Sequence, residues 1–284
     1  MKKVVLTGAN GFIGSALLNF LKQKNFKVTS LQRSRETNID IIKWKIGESF
    51  PKKILNADIF IHCAYDNSQS SSNKSSIKDD LNYVGLKKIL KQVRSKSRYK
   101  FILISSQSAH KSSKSYYGKS KYQLEKMLNY EHNKKIEITI RPGMVYARQN
   151  SYVTELLKKL IKFKIFPIFS NKKNIQPIAV EDLCECINKI ILDNKKINEF
   201  NLATYKKFTM REYVRFICQD NNLDLPYFIY IPSIVIISFG KLIDLFKLTK
   251  FSLTERIYGY IYLNNLKTKY FLRIINYKLK QNFK

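Results

Sequence analysis

"TGANGFIG", Thr7 to Gly14, stands directly behind the apolar run "KVVL" and directly ahead of "SALLNFLKQK". Three of the chain's nine glycines fall within it. A chain this sparing of glycine concentrates it where the backbone has a special task. Here a strand turns sharply into a helix. Gly8 permits the tight turn, Gly11 lets a ligand approach the backbone, and Gly14 lets the helix pack closely on the strand. The helix start then offers unpaired N–H groups and the positive end of its dipole to a pyrophosphate. The strand before and the amphipathic helix after give the glycine triplet its meaning as a dinucleotide site over Gly8, Asn10, Gly11, Phe12, Ile13 and Gly14.

Outward from this turn, short apolar runs alternate with longer helical patterns. "KKVVLTG" predicts a strand, and "GFIGSALLNFLKQKN" a helix with Phe12, Ile13, Ala16, Leu17 and Phe20 on one face. "FKVTSLQR", "DIFIHCAY", "YKFILISS" and "IEITIRPGMVY" read as further strands, the last ending at Pro142. "DDLNYVGLKKILKQVR" and "SKYQLEKMLNYEH" read as helices. Alternating βα units imply an α/β, doubly wound parallel sheet with helices on both faces. Beyond residue 150 the pattern changes. "SYVTELLKKLIKF", "VEDLCECINKIILD" and "FTMREYVRFICQD" are helical, and "NIQPIAV" is strand-like. The expected organisation is a nucleotide-binding domain over 1–150 and a mainly substrate-binding lobe over 151–284, with 175–195 packing back on the first domain. "SQSSSNKSS", Ser68 to Ser76, reads as a mobile surface loop.

A chain of 284 residues that is 44% hydrophobic can bury a full core. Its formal charge of +31 is compatible with nucleic acid or an anionic membrane as partner. The lysines are, however, scattered among many Asn and Ile residues, as an AT-rich genome also produces, so no specific nucleic-acid partner is expected. The basic tail "NNLKTKYFLRIINYKLKQNFK" has an apolar face as well, which packing or membrane-surface contact explains. "LPYFIYIPSIVIISFG", Leu225 to Gly240, is too short and too proline-broken to span a bilayer. A buried helix or lobe contact is the favoured reading, with rest on a membrane surface as the alternative. Cys63, Cys184, Cys186 and Cys218 form no disulfide framework, and no His or Cys cluster completes Cys184-x-Cys186 into a metal site. Reduced thiols and an N-terminal apolar run too short for a leader point to the cytoplasm.

Several ordered motifs resemble the extended short-chain dehydrogenases/reductases, the NAD(P)-dependent epimerase/dehydratase family. They are T-G-x-x-G-x-x-G at Thr7, D-x-x-x-H-x-A at Asp58, His62 and Ala64, and N-x-x-G at Asn82 and Gly85. "FILISSQSA", Y-x-x-x-K at Tyr117 and Lys121, "IRPGMVYA" and "QPIAVEDLCECI" follow. The resemblance covers residues 1 to about 190. It implies a Rossmann-type fold, a nicotinamide cofactor, a nucleotide-sugar substrate and a possible homodimer.

Tyr117 and Lys121 are four apart on a predicted helix and so share a face. An unperturbed tyrosine, with a pKa of about 10, is a poor acid or base at neutral pH, and a nearby ammonium favours its phenolate. The resemblance implies Tyr117 as acid/base, Lys121 also on the nicotinamide ribose, Ser106 as hydrogen-bond partner of the reacting oxygen, and Ala64 and Gly143 beside the cofactor. Dehydratases of the family place Asp-Glu after the serine. Here Gln107 and Ser108 stand there, so epimerisation or 4-keto reduction ranks above loss of water. NAD enzymes usually end the second strand with an acid, whereas this one ends in Gln32 followed by Arg33, with Arg35 near, which favours NADP over NAD. Lys172, Lys173 and Arg211 are candidate diphosphate contacts. His62 and His132 read as packed and solvated residues, and Arg141 as a structural one.

Overall fold

The computed structural model describes residues 1–33, 40–68, 76–128, 135–147, 158, 161–193, 197–246 and 252–280. Arg35, His132, residues 69–75 of the serine-rich loop and most of the helix expected at 151–163 lie outside them. The chain divides into two compact units. The first holds Met1–Ser106, Ser120–Arg141 and Cys184–Phe200, and the second Gln107–Lys119, Pro142–Leu183 and Asn201–Lys284.

The first unit is built on a sheet of β1 (Lys3–Thr7), β2 (Lys27–Gln32), β3 (Ile41–Lys43), β4 (Ile59–His62), β5 (Tyr99–Ile104), β6 (Lys135–Pro142) and β10 (Glu199–Leu202). The order is β10-β6-β5-β4-β1-β2-β3, and every pair from β3 across to β6 is parallel. The chain winds one way from β1 through β3 and then crosses back to β4, as the doubly wound α/β reading requires. The reversal falls between β1 and β4, and in such sheets ligands gather at that switch point, at the carboxyl ends of the strands. Strands buried on both faces need near-continuous apolar sequence, and β4 and β5 are buried at every position.

Two helices of this unit lead from strand to strand. In α2 (Leu81–Arg94) the Asp80 carboxylate accepts from the Asn82 N–H at the start, and Leu86, Ile89, Leu90 and Val93 form a buried stripe. The stripe joins Val5, Leu31, Phe60, Phe101 and Leu103 in one core. Full burial of each such side chain is worth about 1.5–3 kcal/mol. In α1 (Phe12–Gln23) the buried positions are Gly14, Leu17 and Leu21, while Phe12, Ile13, Ala16 and Phe20 are only partly covered. The expected face is therefore rotated, because Gly14 brings the helix so close that its own side of the cylinder is the one in contact.

The second unit holds β7 (Met144–Tyr146), paired in parallel with β9 (Pro177–Ala179), and β8 (Ile165–Ile168), paired with β11 (Tyr227–Tyr230). Helix α3 (Tyr116–Glu125) and helix α4 (Val180–Leu192) run through both lists of residues. Helix α5 (Met210–Asp220) starts in a capping box between Thr209 and Glu212 and buries Tyr213, Val214, Ile217 and Cys218. Those residues pack with Tyr146, Phe166, Ile168 and Ile175. Helices α6 (Ser233–Leu245), α7 (Leu253–Ile261) and α8 (Lys269–Ile274) complete the described chain.

Candidate active site

At the switch point Thr7 of β1 lies beside His62 of β4. Gly8 then turns with φ +73°, and a Cβ there would come within 2.6 Å of the Ala64 amide nitrogen. The Gly11 N–H donates to the Gly8 carbonyl at 2.9 Å. A Cβ on Gly14 would sit 2.1 Å from the same carbonyl oxygen, so the helix can approach the strand only with glycine here. Gly11 caps α1 with no side-chain hydrogen bond, and its first turn has no acidic residue. Asn10 and Gly11 are exposed, with Phe12 and Ile13 partly so.

The Thr7 hydroxyl accepts from the Ala64 N–H at 3.2 Å and lies 2.9 Å from His62 Nδ1. Burial, then the charge of Lys121, holds the His62 pKa down at about 3, so the ring is neutral. It is a packed histidine, and it ties β1, β4 and the Gly8 turn together.

Gln32, at the end of β2, is buried and donates from Nε2 to Ser30 Oγ at 3.2 Å. Its Oε1 is buried with no hydrogen-bond partner among the described residues. Arg33 is exposed. A glycine cradle that a Cβ would fill, a helix start without a side-chain cap, and an unsatisfied acceptor at the end of β2 fit a dinucleotide.

Next to the cradle, Ala64 leads into Tyr65, whose ring lies 4.8 Å from Lys121 Nζ. Lys121 is 3% exposed, and its ammonium donates to the Ile104 carbonyl at the end of β5, at 2.8 Å. Burial lowers its pKa to about 8 against the pull of Cys63 and Glu125. Tyr117, partly buried, is one turn earlier on α3. The helix starts at Tyr116, whose N–H is taken by the Glu255 carboxylate, and the Ser115 hydroxyl accepts from the Gly118 N–H at 3.1 Å.

The two serines after β5 are placed differently. The Ser105 N–H continues the ladder to Ile140 at 2.7 Å, and its hydroxyl donates to Glu125. Ser106 is partly exposed. Glu125, four residues beyond Lys121, also receives Arg141 Nε at 2.8 Å and Nη2 at 2.6 Å, while Arg141 Nη1 meets Glu199 at 2.9 Å. Burial opposes the Arg141 charge, but its two carboxylate partners outweigh burial and hold the guanidinium above its ordinary pKa. The sequence reading missed Glu125. Its spacing, i+8 from Tyr117 and i+4 from Lys121, was the available signal.

The other residues singled out in the sequence are placed as follows. Gly143 donates to the Leu202 carbonyl at 3.0 Å and sits close against Gln176. Gln107 is a strut, donating to the Asn174 and Asn264 carbonyls, both at 2.7 Å. Lys173 meets Glu212 at 3.5 Å and Arg211 lies over the Phe228 ring at 5.2 Å, whereas Lys172 is exposed.

The model of the NAD dependent epimerase/dehydratase family matches residues 4–203, from the first strand through β10. The chain belongs to this family. None of the curated proteins compared with it matches. Among solved structures, it is similar to UDP-N-acetylglucosamine 4-epimerase from Bacillus cereus, with a TM-score of 0.71 at 12% identity over 100% of this chain and 95% of that one. The human epimerase family protein SDR39U1, solved with NADPH, gives 0.69 at 15% identity over 98% and 95%. MoeE5, in complex with UDP-glucuronic acid and NAD, gives 0.68 at 13% over 99% and 95%. At these identities the likeness is one of fold. The Gly8–Gly14 turn and Ala64 lie at the switch point of the sheet, and Lys121 is fixed to the end of β5.

Proposed function

We propose that the protein is an NAD(P)-dependent epimerase or 4-keto reductase of a nucleotide-sugar. The observation that carries this reading is Lys121, buried beside the glycine turn and fixed to the Ile104 carbonyl, with Tyr117 one turn away on the same helix. A nicotinamide dinucleotide would be held by the α1 start, Gln32 and Lys121, and when bound would exchange a hydride with the substrate carbon. Tyr117 Oη takes the proton of the substrate's C4 hydroxyl in the oxidative direction and returns it in the reductive one. Lys121, positively charged at neutral pH, lowers the cost of the phenolate. Ser106 offers its hydroxyl to the same oxygen and keeps it aligned. Gln107 and Ser108 supply no carboxylate for removing water. The nucleotide-sugar assignment draws support from the epimerase and the UDP-sugar complex among the structural neighbours. The absence of an acid at Gln32 and the exposed Arg33 beside it support NADP(H) over NAD(H), whereas the open Gln32 Oε1 suits a ribose hydroxyl.

The deciding experiment titrates NAD(H) and NADP(H) by calorimetry and then supplies UDP-, GDP- and dTDP-sugars and their 4-keto forms. Tyr117→Phe is expected to keep dinucleotide affinity and lose about 10²–10⁴-fold in kcat. Dinucleotide binding without turnover in the wild type would instead favour a binding or assembly role. Absence of dinucleotide binding would refute the reading outright.

A further inference from the structure

Among the described residues no helix is long and apolar enough to cross a membrane. Helix α6 is nevertheless apolar on both sides. Its inner side carries Ile236, Ile237, Gly240 and Ile243, and only Gly240 is fully buried. Its outer side presents Ile234, Val235, Phe239, Leu242 and Leu245, with Phe246 just beyond, and Ile234 is 73% and Leu245 74% exposed. Ser238 and Lys241 interrupt an outer side that is otherwise apolar, and an apolar face of this kind is normally covered by protein or by lipid. Two residues before α6 ends the ribbon β8–β11, in which Tyr227 pairs with Ile165 and Ile229 with Pro167. The alternation of strand side chains turns Phe166 and Ile168 into the core and leaves Ile165, Tyr227 and Ile229 exposed. Exposed apolar surface of this kind in a soluble setting marks a contact site.

Charge decides what covers it. Residues 201–284 carry 14 Lys and Arg against 5 Asp and Glu, and the whole chain is at +31. Lys162 and Lys164 flank Phe163 and Ile165 on the exposed side, and Lys241 stands on the outer side of α6. A second copy would bring a like charge to the contact, which opposes association. An anionic lipid surface brings the opposite charge, about 1 kcal/mol per nearby Lys or Arg. The 13 residues of α6 span about 20 Å, too short to cross a bilayer but suited to lying within its interface. Tyr227 and Tyr230 supply aromatic rings that settle at headgroup depth, and Phe239 joins the apolar contact. We infer that the outer face of α6 and the adjoining β8–β11 ribbon seats the protein on an anionic membrane surface. This inference stands apart from the NAD(P) reading and uses none of its residues.

The test is sedimentation of the full chain with vesicles of phosphatidylcholine, alone or with phosphatidylglycerol, at low and near-physiological salt. Cosedimentation with the anionic vesicles and little with the neutral ones is expected. The double variant Phe239→Ser, Leu242→Ser should weaken binding at least about tenfold, since two large apolar side chains lose their lipid contact. Circular dichroism and dinucleotide binding in the same preparations establish that the variant is folded. Equal vesicle binding by the variant would mean charge alone is at work and would overturn the proposal, as would no binding by either protein. So would light scattering that shows a dimer in the wild type and a monomer in the variant, because a second copy would then cover the face.

Discussion

Lys121 keeps its ammonium buried, with the Ile104 carbonyl as a hydrogen-bond acceptor, and burial lowers its pKa to about 8. An unfolded lysine titrates near 10.4. Between these values the unfolded chain binds more protons than the folded one, so this group's contribution to stability rises with pH there and is lost as pH falls through about 8. Urea unfolding of wild type and Lys121→Met at pH 7 and 9.5 should show the difference between them moving by about 2 kcal/mol in favour of wild type at the higher pH. A difference that stays constant would show that the ammonium is solvated. Arg141 presents the opposite case. Its removal in Arg141→Met leaves Glu125 buried with its charge uncompensated, at an expected cost of about 3–5 kcal/mol, whereas Glu125→Gln with Arg141→Met together should recover part of that loss. Gly8 and Gly14 stood out in the sequence because the sharp strand-to-helix turn is written within eight residues, and Tyr117 and Lys121 stood out as a pair because they are four apart on one helix. Glu125 did not, since its meaning comes from Arg141 and Ser105. Gln107 was read only as a missing acid, because its partners Asn174 and Asn264 lie far along the chain.

At the scale of elements, the apolar runs predicted β1, β2, β4, β5 and β6, whose buried faces make the signal continuous. The pattern missed β3, β8, β10 and β11, each of three or four residues. So short a run carries too few alternations to show a period, and β8 contains Pro167, which demotes a strand reading. Helix α3 begins at Tyr116, ahead of the expected "SKYQLEKMLNYEH", where the Ser115 hydroxyl takes the Gly118 N–H and the Glu255 carboxylate of α7 takes the Tyr116 N–H. Helix α5 is the local counterexample. Thr209 and Glu212 form its capping box three residues apart, and Thr209 near the start was visible in the sequence. Thr209→Ala should therefore cost about 1 kcal/mol in thermal or urea unfolding, with the dinucleotide affinity unchanged. A loss well below that would mean solvent caps α5 as well as threonine does. The apolar run in α6 was expected to be enclosed. Hydrophobicity predicts that such a helix is covered, but it does not identify the cover, and in the structure its outer side faces solvent.

For the whole molecule, 52 Lys and Arg stand against 21 Asp and Glu, so even complete pairing of every acid would leave most of the positive charge uncompensated. Folding draws these charges together, and self-repulsion lowers the stability of the compact state relative to a chain that can spread them. Salt shortens the reach of that repulsion, since the Debye length falls from about 30 Å at 0.01 M to about 8 Å at 0.15 M. Buried pairs such as Arg141–Glu125 are screened much less, so the repulsive part is what salt removes. The melting temperature should accordingly rise from low to physiological sodium chloride. A relief of about 2 kcal/mol in a chain of this size corresponds to a shift of roughly 5 °C. Sodium chloride, sodium acetate and sodium phosphate at matched ionic strength separate two causes. Equal shifts mean general screening, whereas a rise with phosphate alone at low millimolar concentration would point to a bound anion, with the start of α1 as the first place to look. A melting temperature that falls with salt would mean that attractive pairs outweigh repulsion in the folded state. The scattered lysines would then be matched to their acids, and the charge would lose its weight as a reason for the protein to seek an anionic surface.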